Sequence, residues 1–142
     1  MSQSPLDNSL QRIAEASHSD PFAVLGRHPD GDGVCVRVML PGAETVTIAD
    51  GNHAMHRLEG TDIFEWRGPA TAVPEHYRLI WRDDERREHI AHDPYCFAPQ
   101  LPDFDMHLFG EGRHWHAYRL LGAHVHESDG IAGILFSVWA PN

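Results

Sequence analysis

Asp32 to Asp50 reads DGVCVRVMLPGAETVTIAD, and this stretch decides the fold. Val34, Val36, Val38 and Leu40 alternate with Cys35, Arg37 and Met39, the period of two expected of a strand that buries one face. Pro41-Gly42 cannot easily continue a ladder, so the strand ends in a turn. Thr45-Val46-Thr47-Ile48 then resumes the alternation with β-branched residues, which suit a pleated surface.

The same texture extends downstream. His53 to Leu58 and Ile63 to Trp66 flank Glu59-Gly60-Thr61-Asp62, a hairpin turn by composition. His76 to Arg82 alternates again, with Tyr77, Leu79 and Trp81 directed to the core. Asp83-Asp84-Glu85-Arg86 forms a polar tip before Arg87 to Ala91. Short strands at this spacing, separated by turn signals, predict an all-β, immunoglobulin-like β-sandwich. Upstream, Leu6, Leu10, Ile13 and Ala14 share one face of a short N-terminal helix over Leu6 to Ala16, with Asp7 or Ser9 as its cap. Such a helix needs a surface to lie on. Downstream, Pro94, Pro99 and Pro102 rule out regular strands, while Tyr95, Phe97, Leu101, Phe104, Leu108 and Phe109 make the segment too apolar for a solvated linker. It is expected to run extended along the sandwich as a Pro-rich connecting segment, with a short helical turn over Trp115 to Leu121.

The opening pattern returns about a hundred residues later. Val24-Leu25-Gly26-Arg27-His28, Asp32-Gly33, the strand and Pro41-Gly42 are echoed by Leu120-Leu121-Gly122-Ala123-His124, Asp129-Gly130, Ile134 to Trp139 and Pro141-Asn142. The expected organisation is therefore an N-terminal helical segment (1–19), a β-sandwich module (20–92), a Pro- and aromatic-rich connecting segment (93–127) and the first strand of a truncated second sandwich (128–142). That last strand is expected to be disordered or to pair opportunistically, because its own sheet is missing.

A formal charge of −10 opposes binding to nucleic acid or an anionic membrane, whose phosphates it would repel, and is compatible with a neutral sugar polymer. No apolar run approaches the length of a bilayer span, and the N-terminus lacks a signal-peptide core. Cys35 and Cys96 do not make a disulfide framework, so two reduced thiols in a cytoplasmic protein is the simplest reading.

Three chemistries remain. The histidine pairs His53/His56, His89/His92, His114/His116 and His124/His126 have no cysteine or carboxylate partners at established metal-site spacing, so neither metal nor cofactor is expected, and a metal-binding β-domain is the weakest alternative. Carboxylate pairs serve glycoside chemistry, but Asp83-Asp84-Glu85 sits at a hairpin tip and Asp103 and Asp105 lie in the Pro-rich segment, where capping the backbone is their expected role. Among Trp66, Trp81, Trp115 and Trp139, whose flat rings match the C–H face of a pyranose, Trp115 is the expected exposed one, flanked by His114 and His116 in an irregular segment.

From Asp20 to Asn142 the sequence resembles the N-terminal region of bacterial glycogen (1,4-α-glucan) branching enzymes. The resemblance rests on Asp20-Pro21-Phe22-Ala23-Val24-Leu25-Gly26-Arg27-His28, Leu40-Pro41-Gly42-Ala43, Tyr77-Arg78-Leu79 and Asp93-Pro94-Tyr95-Cys96-Phe97-Ala98-Pro99. It continues through Asp105-Met106-His107-Leu108-Phe109-Gly110-Glu111-Gly112, Leu121-Gly122-Ala123-His124 and Phe136-Ser137-Val138-Trp139-Ala140-Pro141-Asn142. It implies a chain that continues into a second, carbohydrate-binding-type sandwich, a catalytic (β/α)₈ barrel and a C-terminal β-domain. In the family, α-1,4 glucan is cleaved through a covalent glycosyl intermediate and rejoined by an α-1,6 bond, with both catalytic carboxylates in the barrel. The region present here would then be a non-catalytic module that helps orient α-glucan and set the transferred chain length, partnered by the remaining domains of the enzyme. The alternative is a purely structural packing module that never touches glucan.

Overall fold

The computed structural model describes residues 5–140, which divide between Phe97 and Ala98 into two compact units, unit 1 before the division and unit 2 after it. Unit 1 is the sandwich. Its first sheet has the order β1 (Gly26–Asp30), β2 (Gly33–Met39), β6 (Ile63–Pro69), β5 (His56–Arg57). Its second has the order β4 (His53–Ala54), β3 (Ala43–Ile48), β7 (Arg78–Asp83), β8 (Glu88–His92). All pairings are antiparallel. The stretch expected as one strand over His53 to Leu58 is split, because Met55 sits at the point where the chain leaves the second sheet for the first. Strands that switch sheets in this way close the corners of sandwiches.

The period of two places Val36, Val38 and Phe64 of the first sheet against Val46, Ile48 and Leu79 of the second, with Val73 and Tyr77 filling the gap. Trp81 packs on this core from its rim. β2, however, is buried on both faces, from Val34 through Val38. The other face of its sheet is covered by α1 (Pro5–Ala14), whose Ile13 joins Val24, Leu25 and Ile63, with Met39 and Leu58 beside them. α1 is thus the surface-bound amphipathic helix its spacing predicts, starting one residue and ending two residues earlier than expected. Its cap position lies outside the described residues, and Asp7 and Ser9 lie within the helix rather than capping it.

Double burial brings Arg37 to 7% exposure, and Glu65 directly across the ladder accepts its Nε–H at 2.7 Å. Glu65 also accepts from Arg67 Nε at 2.8 Å. Burial pushes the Glu65 carboxyl upward, but the hydrogen bonds from Arg67 and Arg37 outweigh it and hold it below its ordinary value. The thiol of Cys35 is pushed up to about 11, chiefly by burial, and that of Cys96 to about 12 for the same reason; both are free and protonated at neutral pH.

Asp93 ends unit 1. Its buried carboxylate accepts the Tyr77 hydroxyl and, at 3.0 Å, the amide of Tyr95, so the chain turns through a 3-10 helix over Pro94–Cys96. Tyr95 then meets Phe22 edge-on at 5.0 Å. Gly26, at φ +93°, lets the backbone pass beneath: a Cβ there would lie 2.8 Å from the Tyr95 carbonyl oxygen.

Unit 2 corrects the expectation of an extended segment. Asp103–Gly110 is an α-helix, α2, preceded by Pro102 and carrying Asp103 and Asp105 in its first turn. A proline before the first turn and acidic residues within it favour a helix start. A 3-10 turn over Ala117–Arg119 leads into β9 (Gly122–Ser128), which pairs in register with β10 (Ile131–Ser137) across the two-residue turn Asp129-Gly130. Both turn residues have positive φ, the geometry that matches strand twist in tight hairpins. The boundary expected at 127/128 falls inside this hairpin, and the strand expected to be disordered or opportunistically paired has β9 as its partner.

Candidate functional site

The sequence candidate Trp115 lies in unit 2, between α2 and the hairpin. Asp105 accepts the Nε2–H of His114 at 2.6 Å, and the imidazole, its side chain 8% exposed, stacks on Phe109 at 4.5 Å with 14° between the planes. Phe109 stacks in turn with Trp139 at 5.3 Å. This column joins the helix, the turn after it and the chain just past β10. It directs His114 inward and leaves the next residue outside: Trp115 is 90% exposed. Beyond it His116 meets the Tyr118 ring edge-on at 6.2 Å, and the Arg119 guanidinium lies over the same ring at 5.7 Å, donating from Nε to the phenol oxygen at 3.3 Å. An exposed indole in a segment rich in imidazole, phenol and guanidinium groups can stack on a sugar ring while donors reach its hydroxyls.

Three of the candidate carboxylates, Asp83, Glu85 and Asp105, are otherwise engaged. Asp105 holds His114. Asp83 accepts from His89 at 2.9 Å and from the Arg87 amide and side chain, and the His89 hydrogen bond first of all holds it down at about 2. Glu85 pairs with Arg87 at 2.9 Å. The histidine pairs are divided among unrelated partners: His124 reaches the Leu121 carbonyl at 2.9 Å, His126 the Gln100 side chain at 2.9 Å, and His53 stacks with Trp66. Among the described residues no group of three or more His, Cys, Asp or Glu side chains could hold a metal ion. No helix among them is long and apolar enough to cross a membrane.

Of the other tryptophans, Trp66 and Trp81 pack against the unit 1 core and Trp139 closes the Phe109 column. The column itself escaped sequence reasoning. Its signal was the four-residue spacing of Asp105 and Phe109 within a helix bounded by Pro102 and Gly112.

Residues 6–95 match the model of the family described as alpha-1,4-glucan branching enzyme GlgB, N-terminal domain. The chain is 53% identical over 137 residues to the 1,4-alpha-glucan branching enzyme of Methylococcus capsulatus, a match covering 96% of this chain and 18% of that protein. It is 47% identical over 147 residues to the corresponding enzyme of Cellvibrio japonicus, covering 96% of this chain and 20% of that protein. The chain therefore spans about a fifth of the length of these relatives. Among solved structures, Klebsiella pneumoniae pullulanase complexed with maltotriose is 24% identical with a TM-score of 0.42, covering 63% of this chain and 9% of that chain, a likeness too weak to carry an argument.

Proposed function

Since the chain belongs to the family of N-terminal domains of α-1,4-glucan branching enzymes, we propose that it is the non-catalytic N-terminal module of such an enzyme, helping to orient α-glucan and to set the length of chain transferred. Its partners on this reading are α-glucan and the remaining domains of the enzyme, in the cytoplasm. Unit 2 opens a second sandwich, and the bond-making carboxylates lie elsewhere in the enzyme. The supporting observation is Trp115, an indole left almost wholly in water three residues before the stacked pair Tyr118 and Arg119. A large exposed aromatic side chain gains by covering a flat, weakly polar ring face.

Native gels cast with glycogen or amylopectin test the proposal. The chain is expected to be retarded and Trp115→Ala to run unretarded with an unchanged melting temperature. Equal mobility with and without glucan would contradict glucan contact and favour the structural-module reading. That second reading draws its own support from the exposed apolar residues Val125, Ile134 and Phe136, which suit a packing surface. Incubation with amylose and iodine is expected to show no branching by this chain alone.

A further inference from the structure

β8 is an edge of the second sheet of unit 1, and it is built unlike the other edges of the sandwich. β4 and β5 are two residues long, and β1 carries Pro29, which has no amide to offer a neighbour. β8 runs five residues, Glu88–His92, with neither a proline nor a bulge. Sheets blunt an edge by shortness, proline or a bulge, and β8 has none of these. Charge does not guard the hairpin either. Although the whole chain carries −10, the stretch from Arg78 to Glu88 holds four arginines and four carboxylates.

Hydrogen bonds at both ends of β8 fix which amides reach the open edge. The Asp83 amide donates to the Arg87 carbonyl at 3.0 Å, and the Asp93 amide to that of Tyr77 at 3.4 Å. Antiparallel ladders alternate bonded and non-bonded pairs, so Trp81↔His89 and Leu79↔Ala91 are the bonded pairs in between. The amides and carbonyls of Glu88, Ile90 and His92 therefore point away from β7. Their side chains share the outer face of the sheet, where Ile90 pairs with Ile80 and is 59% exposed, while His89 stacks on Trp81 on the other face.

The order Glu-His-Ile-Ala-His is complementary to itself. Turned about a two-fold axis through Ile90, it sets Glu88 opposite the partner's His92 and Ile90 opposite the partner's Ile90. All three outward-pointing residues then fall in bonded pairs, and acid faces imidazole at both ends. Arg78, across from His92 on β7, adds positive charge where the partner's Glu88 arrives. A slide of two residues destroys the match. One direction brings Pro94, without an amide, opposite Glu88; the other brings Arg86, at φ +63°, opposite His92.

We propose that this chain pairs with a second copy of itself through β8, antiparallel and two-fold about Ile90, so that two four-stranded sheets become one continuous sheet. The contact is isologous and closes on itself: β8 is used up in each copy, and the far edge of the joined sheet is β4, too short to add another. The proposal goes beyond the glucan-module reading and rests on unit 1 alone.

Sedimentation equilibrium on this chain, from ~10 μM to ~1 mM because an edge contact belongs to the weak class, is expected to show monomer and dimer. Ile90→Pro removes an edge amide without touching the β7 ladder, and Glu88→Arg sets arginine against imidazole. Each is expected to raise the dimer dissociation constant at least tenfold. Ile134→Pro controls for the open edge of β10: residues flanking its two-residue turn exchange hydrogen bonds, so Gly133 and Leu135 bond to β9 and the Ile134 amide faces outward. It is expected to leave the dimer intact. The register is read with cysteines. Bonded pairs place Cα atoms about 5.5 Å apart, within reach of a disulfide, so diamide is expected to link two copies of Ile90→Cys. Two copies of Glu88→Cys, about 13 Å apart in this register, are expected to stay unlinked. Should Ile90→Pro itself lower the melting temperature, Glu88→Arg and the two cysteine variants decide. A chain that stays monomeric to ~1 mM, a dimer indifferent to Glu88→Arg or abolished by Ile134→Pro, or equal linking through both cysteine positions overturns the proposal.

Discussion

Val36 and Phe136 hold equivalent places in equivalent hairpins, yet one is 0% exposed and the other 73%. Gly26 and Gly122 differ likewise. A Cβ on the first would strike the Tyr95 carbonyl, while one on the second would meet nothing within 4 Å. Ile13 and Phe109, by contrast, are buried in both units. The helix stop, 3-10 turn and hairpin thus form from local sequence, through caps and positive-φ residues, whether or not the rest of a sandwich is present. Burial of the strand's outer face needs partners distant in sequence, and unit 1 has them in β6, β7 and Asp93-Pro94-Tyr95.

The contrast can be broken most forcefully in the core. Phe64→Ala, beneath Val36 and Val38, should cost about 3–5 kcal/mol in chemical denaturation of unit 1, whereas Phe136→Ala should stay within about 0.5 kcal/mol. A loss at Phe136 rivalling that at Phe64 would mean the outer face of β10 is already covered. Ile13→Ala should lower unit 1 stability by about 2–3 kcal/mol, since α1 covers β2 through this side chain. Leaving Asp93 buried without its hydroxyl partner, Tyr77→Phe should cost about 1–2 kcal/mol.

A pH series sharpens the difference further. Burial pushes the Asp93 carboxyl above its ordinary value, despite the Tyr77 hydroxyl and Tyr95 amide. The native state therefore holds this proton more tightly than the unfolded chain does, and the resulting stabilisation is present at low pH and lost as pH rises through the Asp93 titration. Asp83, held at about 2, acts in the opposite sense: its contribution is present above the ordinary carboxylate value and lost as pH falls toward 2. Melting temperatures of Asp93→Asn should lack the decline on the rising side, and those of Asp83→Asn the decline on the acid side. Smallest of all, Trp115→Ala should change stability by less than about 0.5 kcal/mol, its effect being confined to glucan gels.

Much of unit 1 was legible because alternation encodes it directly: Val34 to Leu40, Thr45 to Ile48 and Tyr77 to Trp81 all place their apolar sets inward. β1 was not read as a strand, since Gly-Arg-His-Pro-Asp has no apolar period and Pro29 is tolerated only because β1 is an edge. β9 hid for the same reason, with Gly122, His124 and His126 diluting the pattern. α2 was missed because its apolar residues surround the helix instead of forming a stripe and prolines dominate the residues before it. The exposure of Trp115 could be expected from its neighbours, but the inward turn of His114 that causes it depends on Asp105, a contact no local rule supplies.

The repeat, closed in one unit and open in the other, is tested most directly by amide exchange on this chain alone, comparing Val34 and Val36 with Ile134 and Phe136. The account predicts that the first pair exchanges at least ~1000-fold more slowly than the second, while Gly133 and Leu135, bonded to β9, are more protected than their neighbours. Equal protection of all four residues in the monomer would contradict it.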